Sequence, residues 1–225
     1  MIKAVFFDWG HTFTKSGFIK AKEKINSLLK PYNLNWDSFC PYFRNLYMLR
    51  SSGKIKSDKE MFSFLEKVLQ KENIPFEEIR KAIIDSHIIP QENIEIVKEI
   101  NRNYKVGLLT NNVQEWVEKV LKNYGIEDLF DIVIVSSRVG ARKPEAEIYY
   151  VALKSLSVNP EETVFISDEL SEDLIGAKGC GIKTIWLDAG VEDEWKKRER
   201  KIAKIFKPDA VIKNLTESIS VIKMM

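Results

Sequence analysis

Six short apolar runs punctuate the chain: residues 3–7, VGLLT at 106–110, IVIVS at 132–136, TVFIS at 163–167, TIWLD at 184–188 and AVI at 210–212. Each is nearly continuous rather than alternating, the pattern of a strand buried on both faces. Between most of them, apolar positions recur at helical spacing. Residues 91–103 place Ile94, Val97 and Ile100 on one face, and residues 113–124 do the same with Trp116, Val117, Val120 and Leu121 before Gly125 as a stop. Pro144 opens a further helix carrying Ile148, Ala152 and Leu156. Strand–helix alternation of this kind predicts an α/β fold, a parallel sheet covered by helices on both sides.

Residues 17–88 break the alternation, with no strand signal and four helical patterns. Trp36, Phe39, Phe43, Leu46 and Tyr47 share one face. Ser57 and Glu60 have the spacing of a capping box ahead of Met61, Phe64, Leu65, Val68 and Leu69. Pro75 starts a helix with Phe76, Ile79 and Ile83. The reading is a helical cap inserted after the first strand, residues 17–87, in a core made of residues 1–16 and 88–225. The aromatic stripe is read as the cap's own core rather than a binding surface.

The chain has 225 residues, 44% hydrophobic and 30% charged, with a net charge of +2. That charge gives no argument for nucleic acid or a membrane surface as a partner. No apolar run approaches the ~18 residues of a membrane span. The N-terminal run reaches Asp8 too soon for a signal peptide, and Cys40 and Cys180 are too far apart to suggest a disulfide framework. The expected setting is a reducing cytoplasm. In VEDEWKKRERKIAKIFK (191–207) acids precede bases, as the helix dipole favours. It reads as a solvated helix that turns Trp195, Ile202 and Ile205 inward rather than as a basic patch.

In an open parallel sheet, ligands bind beyond the carboxyl ends of the strands. Asp8 follows the first run, Thr110 and Asn111 the second, Arg142 and Lys143 stand at a helix start after the third, and Asp168 and Glu169 follow the fourth, with Asp173 beyond. A carboxylate that can attack phosphorus, carboxylates that can hold a divalent cation, and hydroxyl and ammonium donors for the equatorial oxygens suit chemistry on a phosphoryl group. No P-loop or GxGxxG fingerprint is present, and nothing supports a glycosidase pair.

These stretches resemble the four motifs of the haloacid dehalogenase superfamily of hydrolases. Its Asp-x-Asp-x-Thr motif is matched by Asp8-Trp9-Gly10-His11-Thr12, its strand-ending Ser or Thr by Thr110 in VGLLTNN, its Lys by Lys143 in ARKPEAEIY, and its acidic pair by Asp168 and Asp173 in ISDELSED. The resemblance runs from residue 1 to about residue 188. It implies a Rossmann-like core with an all-helical cap. It also implies Asp8 as the nucleophile, and Mg²⁺ held by Asp8, Asp168 and the Gly10 carbonyl. Thr110, Asn111 and Lys143 would bind the transferred group, Asp173 would orient Lys143, and the cap would choose a small-molecule substrate.

Gly10 departs from the motif, since the family's phosphatases carry an acid–base Asp there. His11 is the nearest titratable replacement, one residue off; His87 has no supporting partner and reads as structural. The leading reading is a Mg²⁺-dependent phosphatase of a small metabolite. A dehalogenase-like or phosphonatase-like reaction, or a binding protein on a weakened core, stays open. Oligomeric state is not readable.

Overall fold

The computed structural model describes residues 1–16, 18–190 and 194–225. The expected start of the cap at Gly17 and the acidic opening of the 191–207 segment at residues 191–193 lie outside them. Among the described residues the strands are β1 (Ala4–Phe7), β2 (Lys15–Ser16), β3 (His87–Ile88), β4 (Lys105–Thr110), β5 (Ile132–Val135), β6 (Thr163–Ser167), β7 (Lys183–Leu187) and β8 (Ala210–Ile212). The helices are α1 (Phe18–Leu29), α2 (Trp36–Ser51), α3 (Asp58–Leu69), α4 (Phe76–Asp85), α5 (Gln91–Asn101), α6 (Gln114–Tyr124), α7 (Ser136–Val139), α8 (Ala146–Leu156), α9 (Ile175–Gly179), α10 (Glu194–Ile202) and α11 (Ser218–Met224). None of them is long and apolar enough to cross a membrane.

Six strands form one parallel sheet in the order β5-β4-β1-β6-β7-β8. The six apolar runs of the sequence are these six strands. β1 sits in the middle, with Val5 level with Val106 of β4 on one side and Val164 of β6 on the other. Its alternate side chains feed two interiors: Val5 and Phe7 join α5, α6 and the inserted helices, whereas Ala4 and Phe6 join α8 and α9. That two-sided burial is why the run reads as continuously apolar. The chain leaves β1 toward β4 and β5, then returns to β6 on the opposite flank, so the topological switch point lies at the carboxyl end of β1.

Helices α1–α4 lie between β1 and β4 and carry an aromatic interior. Phe39 stacks on Phe43 at 5.4 Å between ring centres, and Phe62 on Phe76 at 4.6 Å. The inward face of α3 is Met61, Phe62 and Leu65; Phe64 and Val68 are exposed, because Phe76 of α4 draws the buried stripe round to Phe62. The capping box at Ser57 is only half formed. Ser57 Oγ accepts from the Glu60 amide, but the Glu60 carboxylate accepts from the Lys56 amide instead of the Ser57 amide.

The segment also contains a strand that its sequence does not announce: His87–Ile88 pairs antiparallel with Lys15–Ser16, bringing the chain's departure into helices α1–α4 and its return from them side by side. One continuous cluster of buried side chains runs from Phe39 and Met61 of the inserted helices to Val113, Trp116 and the sheet. A polar set spans the same boundary. Arg50, buried, donates to Asp58 at 3.0 Å and to Glu115 at 2.8 Å, and Trp116 Nε1 donates to Asp58 at 2.8 Å.

Helix α10 faces inward differently from the expectation. Trp195 is 39% exposed and Ile205 is 90% exposed, while Lys196 and Glu199 are buried. Ile202 alone of the three expected residues packs against the apolar interior. The surface that α10 meets is the carboxyl edge of the sheet, which presents a carboxylate and free amides rather than methyl groups.

Candidate active site

Asp8 caps the switch point. Its amide continues the ladder, donating to the Ile166 carbonyl at 2.9 Å, and a tight loop follows in which the Phe13 amide donates to the Asp8 carbonyl and the Thr14 amide to the Trp9 carbonyl. Asn93 of α5 braces that loop by donating to the Phe13 carbonyl at 2.9 Å. The loop turns at His11, whose φ is +55°, not at Gly10.

Lys143 reaches in from the loop between α7 and α8 and is 2% exposed. Its ammonium donates to Asp8 Oδ1 at 2.6 Å and to Asp173 Oδ2 at 2.7 Å. Its backbone is fixed as well: Asn111 Oδ1 accepts from the Lys143 amide and Asn111 Nδ2 donates to the Lys143 carbonyl. Asn111, read from sequence as a binding residue, thus uses its amide to clamp the loop that carries Lys143. Thr110 is buried at the end of β4, and its hydroxyl has no hydrogen-bond partner among the described residues.

Asp173 lies in a wide helical turn, Leu170–Leu174, closed by an i+5 bond of the kind that recurs at functional sites. Ser167 Oγ donates to Asp173 Oδ2 at 2.6 Å, and the Tyr149 hydroxyl donates to the Asp173 carbonyl at 2.7 Å. Gly176 makes room for that hydroxyl, since a Cβ there would lie 2.7 Å from Tyr149 Oη. Asp168 follows β6; the Thr12 hydroxyl accepts from its amide at 3.0 Å and faces its Oδ1 at 3.5 Å. Asp168 Oδ2 accepts from Lys196 of α10 at 2.8 Å. Sequence reasoning gave no role to Ser167 or Tyr149 and did not bring Lys196 to the site. The only available signal for Lys196 was a basic residue in a helix that follows the sheet edge.

The electrostatics follow from burial. Burial pushes the Asp8 carboxyl above its ordinary range, Lys143 pulls it back, and Asp168 adds to the rise. Asp168 is likewise raised by burial and opposed by Lys196. Burial pushes Asp173 up to about 7 against the pull of Lys143. Burial works against the Lys143 ammonium, but Asp173 and Asp8 together outweigh it and hold it above its usual value. Glu169, beside the site, is pushed up to about 8 by burial and by Asp173. His11 is exposed and faces Asp168 electrostatically. His87 sits at the β2–β3 ribbon with Nδ1 at 3.1 Å from the Ile83 carbonyl and its ring against Trp9 at 5.6 Å. Arg142 lies further out, 3.7 Å from Glu172.

Among the described residues no group of three His, Cys, Asp or Glu side chains is arranged to hold a metal. The donor set is two carboxylates, Asp8 and Asp168, with the Gly10 carbonyl in the same loop. That suits Mg²⁺, which takes one or two carboxylates and keeps several waters. The charge balance fits too. Asp8, Asp168 and Asp173 against Lys143 and Lys196 leave a buried excess of negative charge at a site that would receive an anion.

Residues 47–187 match the family model of haloacid dehalogenase-like hydrolases. Glyceraldehyde 3-phosphate phosphatase of Pyrococcus abyssi is 27% identical over 205 residues, 84% of this chain and 83% of that protein. The HAD-hydrolase YfnB of Bacillus subtilis, in a magnesium-bound crystal structure, superposes with a TM-score of 0.68 at 19% identity, covering 98% of both chains. L-2-haloacid dehalogenase of Xanthobacter autotrophicus superposes with a TM-score of 0.71 at 21% identity over the whole of both chains. With four motif positions gathered at one switch point and well over half its length matching the family model, this chain belongs to the haloacid dehalogenase-like hydrolases.

Proposed function

We propose that the protein is a Mg²⁺-dependent phosphatase of a small phosphorylated metabolite, working through an aspartyl-phosphate on Asp8. The observation that carries this reading is the arrangement around Asp8: a buried carboxylate at the switch point, with one oxygen held by Lys143 and a second carboxylate, Asp168, close enough to raise it. The phosphatase relative supports it.

In this reading Asp8 attacks phosphorus with the oxygen that Lys143 does not hold, and the ester oxygen leaves. Lys143 and the Thr110 hydroxyl neutralise the phosphoryl oxygens as charge shifts onto them. Asp173, fixed by Ser167, and Asn111, clamped to the backbone of Lys143, keep that ammonium in place. Water then hydrolyses the acyl-phosphate and restores Asp8. Bound at Asp8, Asp168 and the Gly10 carbonyl, Mg²⁺ would offset the repulsion between the carboxylates and an incoming phosphate. Gly10 offers no proton to the leaving group, so the reaction favours esters whose leaving groups depart as anions. The inserted helices, residues 17–87 of the sequence, choose the substrate.

The lack of an acid at Gly10 also suits displacement of halide, which needs no protonation. The Asp168–Asp173 acidic pair, with its Lys143 partner, favours phosphate. The test is phosphate release from a panel of phosphate esters, and halide release from 2-haloacids, each with Mg²⁺ and with chelator, in wild type and Asp8→Asn. Phosphate release that requires both Mg²⁺ and Asp8 is expected. Halide release independent of Mg²⁺, without phosphate release, refutes the phosphatase reading.

A further inference from the structure

Helix α10 places two buried charges, three residues apart and so on one face, against the segment that carries Asp168. The Lys196 ammonium donates to Asp168 Oδ2 at 2.8 Å, to the Asp168 carbonyl at 2.8 Å and, more weakly, to the Leu187 carbonyl at 3.5 Å. Glu199 is wholly buried. Its carboxylate accepts from the Leu170 amide at 2.5 Å, the Ser171 amide at 3.1 Å and the Ser171 hydroxyl at 2.9 Å. Both anchors therefore hold residues 168–171, one by the carboxylate and one by the amides that follow it. Buried charges persist only when paired, and removing one partner is costly. The helix is thus fixed to the sheet edge by one ion pair and by hydrogen bonds to a buried carboxylate. Among the described residues, the other oxygen of Asp168 has the Thr12 hydroxyl as its hydrogen-bond partner, at 3.5 Å.

We propose that Lys196 is a tethered counter-ion of Asp168 that competes with the divalent cation for that carboxylate, so that α10 sets how tightly the cation is held. The inference rests on Asp168 being a cation ligand, as in the function proposed above. Without a cation, the ammonium neutralises a carboxylate that would otherwise be buried and unpaired. With one, two positive charges share a single anion, and each weakens the hold of the other. The coupling is reciprocal. Two sites linked in this way typically alter each other's affinity by about 5- to 150-fold. Lys196 is a positioning residue, and Glu199 aligns it by fixing the loop on which its partner stands.

Titration calorimetry with MgCl₂, paired with thermal unfolding in chelator and in saturating Mg²⁺, tests this on the full chain. Lys196→Met is expected to lower the unfolding temperature in chelator, tighten Mg²⁺ binding on the order of tenfold, and enlarge the rise in unfolding temperature that Mg²⁺ brings. Lys196→Arg, which keeps the charge, should bind Mg²⁺ as wild type does; a purely steric role for Lys196 would not separate Arg from Met in this way. If Lys196→Met does not fold in chelator, Lys196→Gln, which keeps a donor but no charge, carries the same expectation. Unchanged or weaker Mg²⁺ affinity in the folded neutral variants overturns the proposal and leaves the metal reading standing. Failure of wild type and both neutral variants to bind Mg²⁺ overturns the metal reading together with the proposal. Binding by the neutral variants alone supports it in its strongest form.

Discussion

Restoring a carboxylate at position 10 should change which esters the enzyme can cleave. The structure admits the substitution: φ of Gly10 lies outside the left-handed region, and a Cβ built there has no atom beyond its two chain neighbours within 4 Å. The residue forced into left-handed backbone is its neighbour His11. Gly10→Asp therefore costs no backbone strain, and losing glycine's freedom in the unfolded chain favours the fold by about 0.4–1 kcal/mol. The new carboxylate joins Asp8 and Asp168, and that repulsion favours its protonated form, as a proton donor requires. General acid–base catalysis is worth about 10²–10⁴-fold, or ~3–5 kcal/mol of barrier. A nitrophenolate leaving group gains little from protonation, whereas an alkoxide gains most of it. The assay is kcat/KM for p-nitrophenyl phosphate and for an alkyl phosphate such as glycerol phosphate, in wild type and Gly10→Asp, after circular dichroism confirms folding. The expected result is an alkyl gain exceeding the aryl gain by at least about tenfold. Equal gains, or ordinary alkyl turnover already present in wild type, would refute the reasoning and make His11 the first residue to mutate.

Asp168→Asn should weaken Mg²⁺ binding by at least about tenfold in calorimetry, because it removes one of the two carboxylates proposed to hold the cation; unchanged affinity would place the cation elsewhere. Arg50→Met removes a buried guanidinium from Asp58 and Glu115. Asp58 keeps Arg80 and Trp116 and Glu115 is exposed, so the loss should be about 2–3 kcal/mol, below the usual cost of breaking a buried pair. For a chain of this size that is a fall of roughly 4–12 °C in unfolding temperature. Burial holds the His87 imidazole below its ordinary 6.5. The fold thus favours the neutral ring, and this stabilisation is complete above about pH 6.5 and lost as pH falls through the lowered value. His87→Gln should flatten the unfolding-temperature profile as pH falls below about 6.5, relative to wild type; parallel profiles would show that the ring titrates normally.

The sheet was legible because strands buried on both faces leave an uninterrupted apolar run, and Val5 with Phe7 and Ala4 with Phe6 do face two interiors. Asp8, Thr110 and Asp168 stood out because each ends or follows such a run, and Lys143 because it opens the helix after the third; the fold brings the strand ends to one edge and the Lys143 loop over it. What failed shares a cause: periodicity identifies an apolar stripe but not the surface it meets. On α3, Phe76 pulls Phe62 inward and leaves Phe64 in solvent. On α10, the opposing surface is a carboxylate and two amides, so Lys196 and Glu199 turn in where Trp195 was expected, and Ile205, past the end of the helix, stays in solvent. A pairing of two residues on each side, such as Lys15–Ser16 with His87–Ile88, is too short to leave a pattern. Asn111 and Ser167 have roles that only the register and loop geometry reveal.

That small antiparallel ribbon has a topological consequence. It brings the exit and return of an insertion of about seventy residues side by side, roughly 4.7–4.9 Å apart as paired strands are. The insertion therefore occupies a position that a two-residue hairpin turn could close, and the order of the parallel sheet is indifferent to what hangs there. Such an attachment lets the inserted helices be exchanged or lengthened without rethreading the strands that carry Asp8 and Thr110. The interior sets the opposite limit. Phe39 and Met61 belong to the same buried cluster as Val113 and Trp116, so a core trimmed at residues 16 and 87 would keep its connectivity and lose part of its solvent boundary. Any replacement must bring an apolar underside to cover that patch.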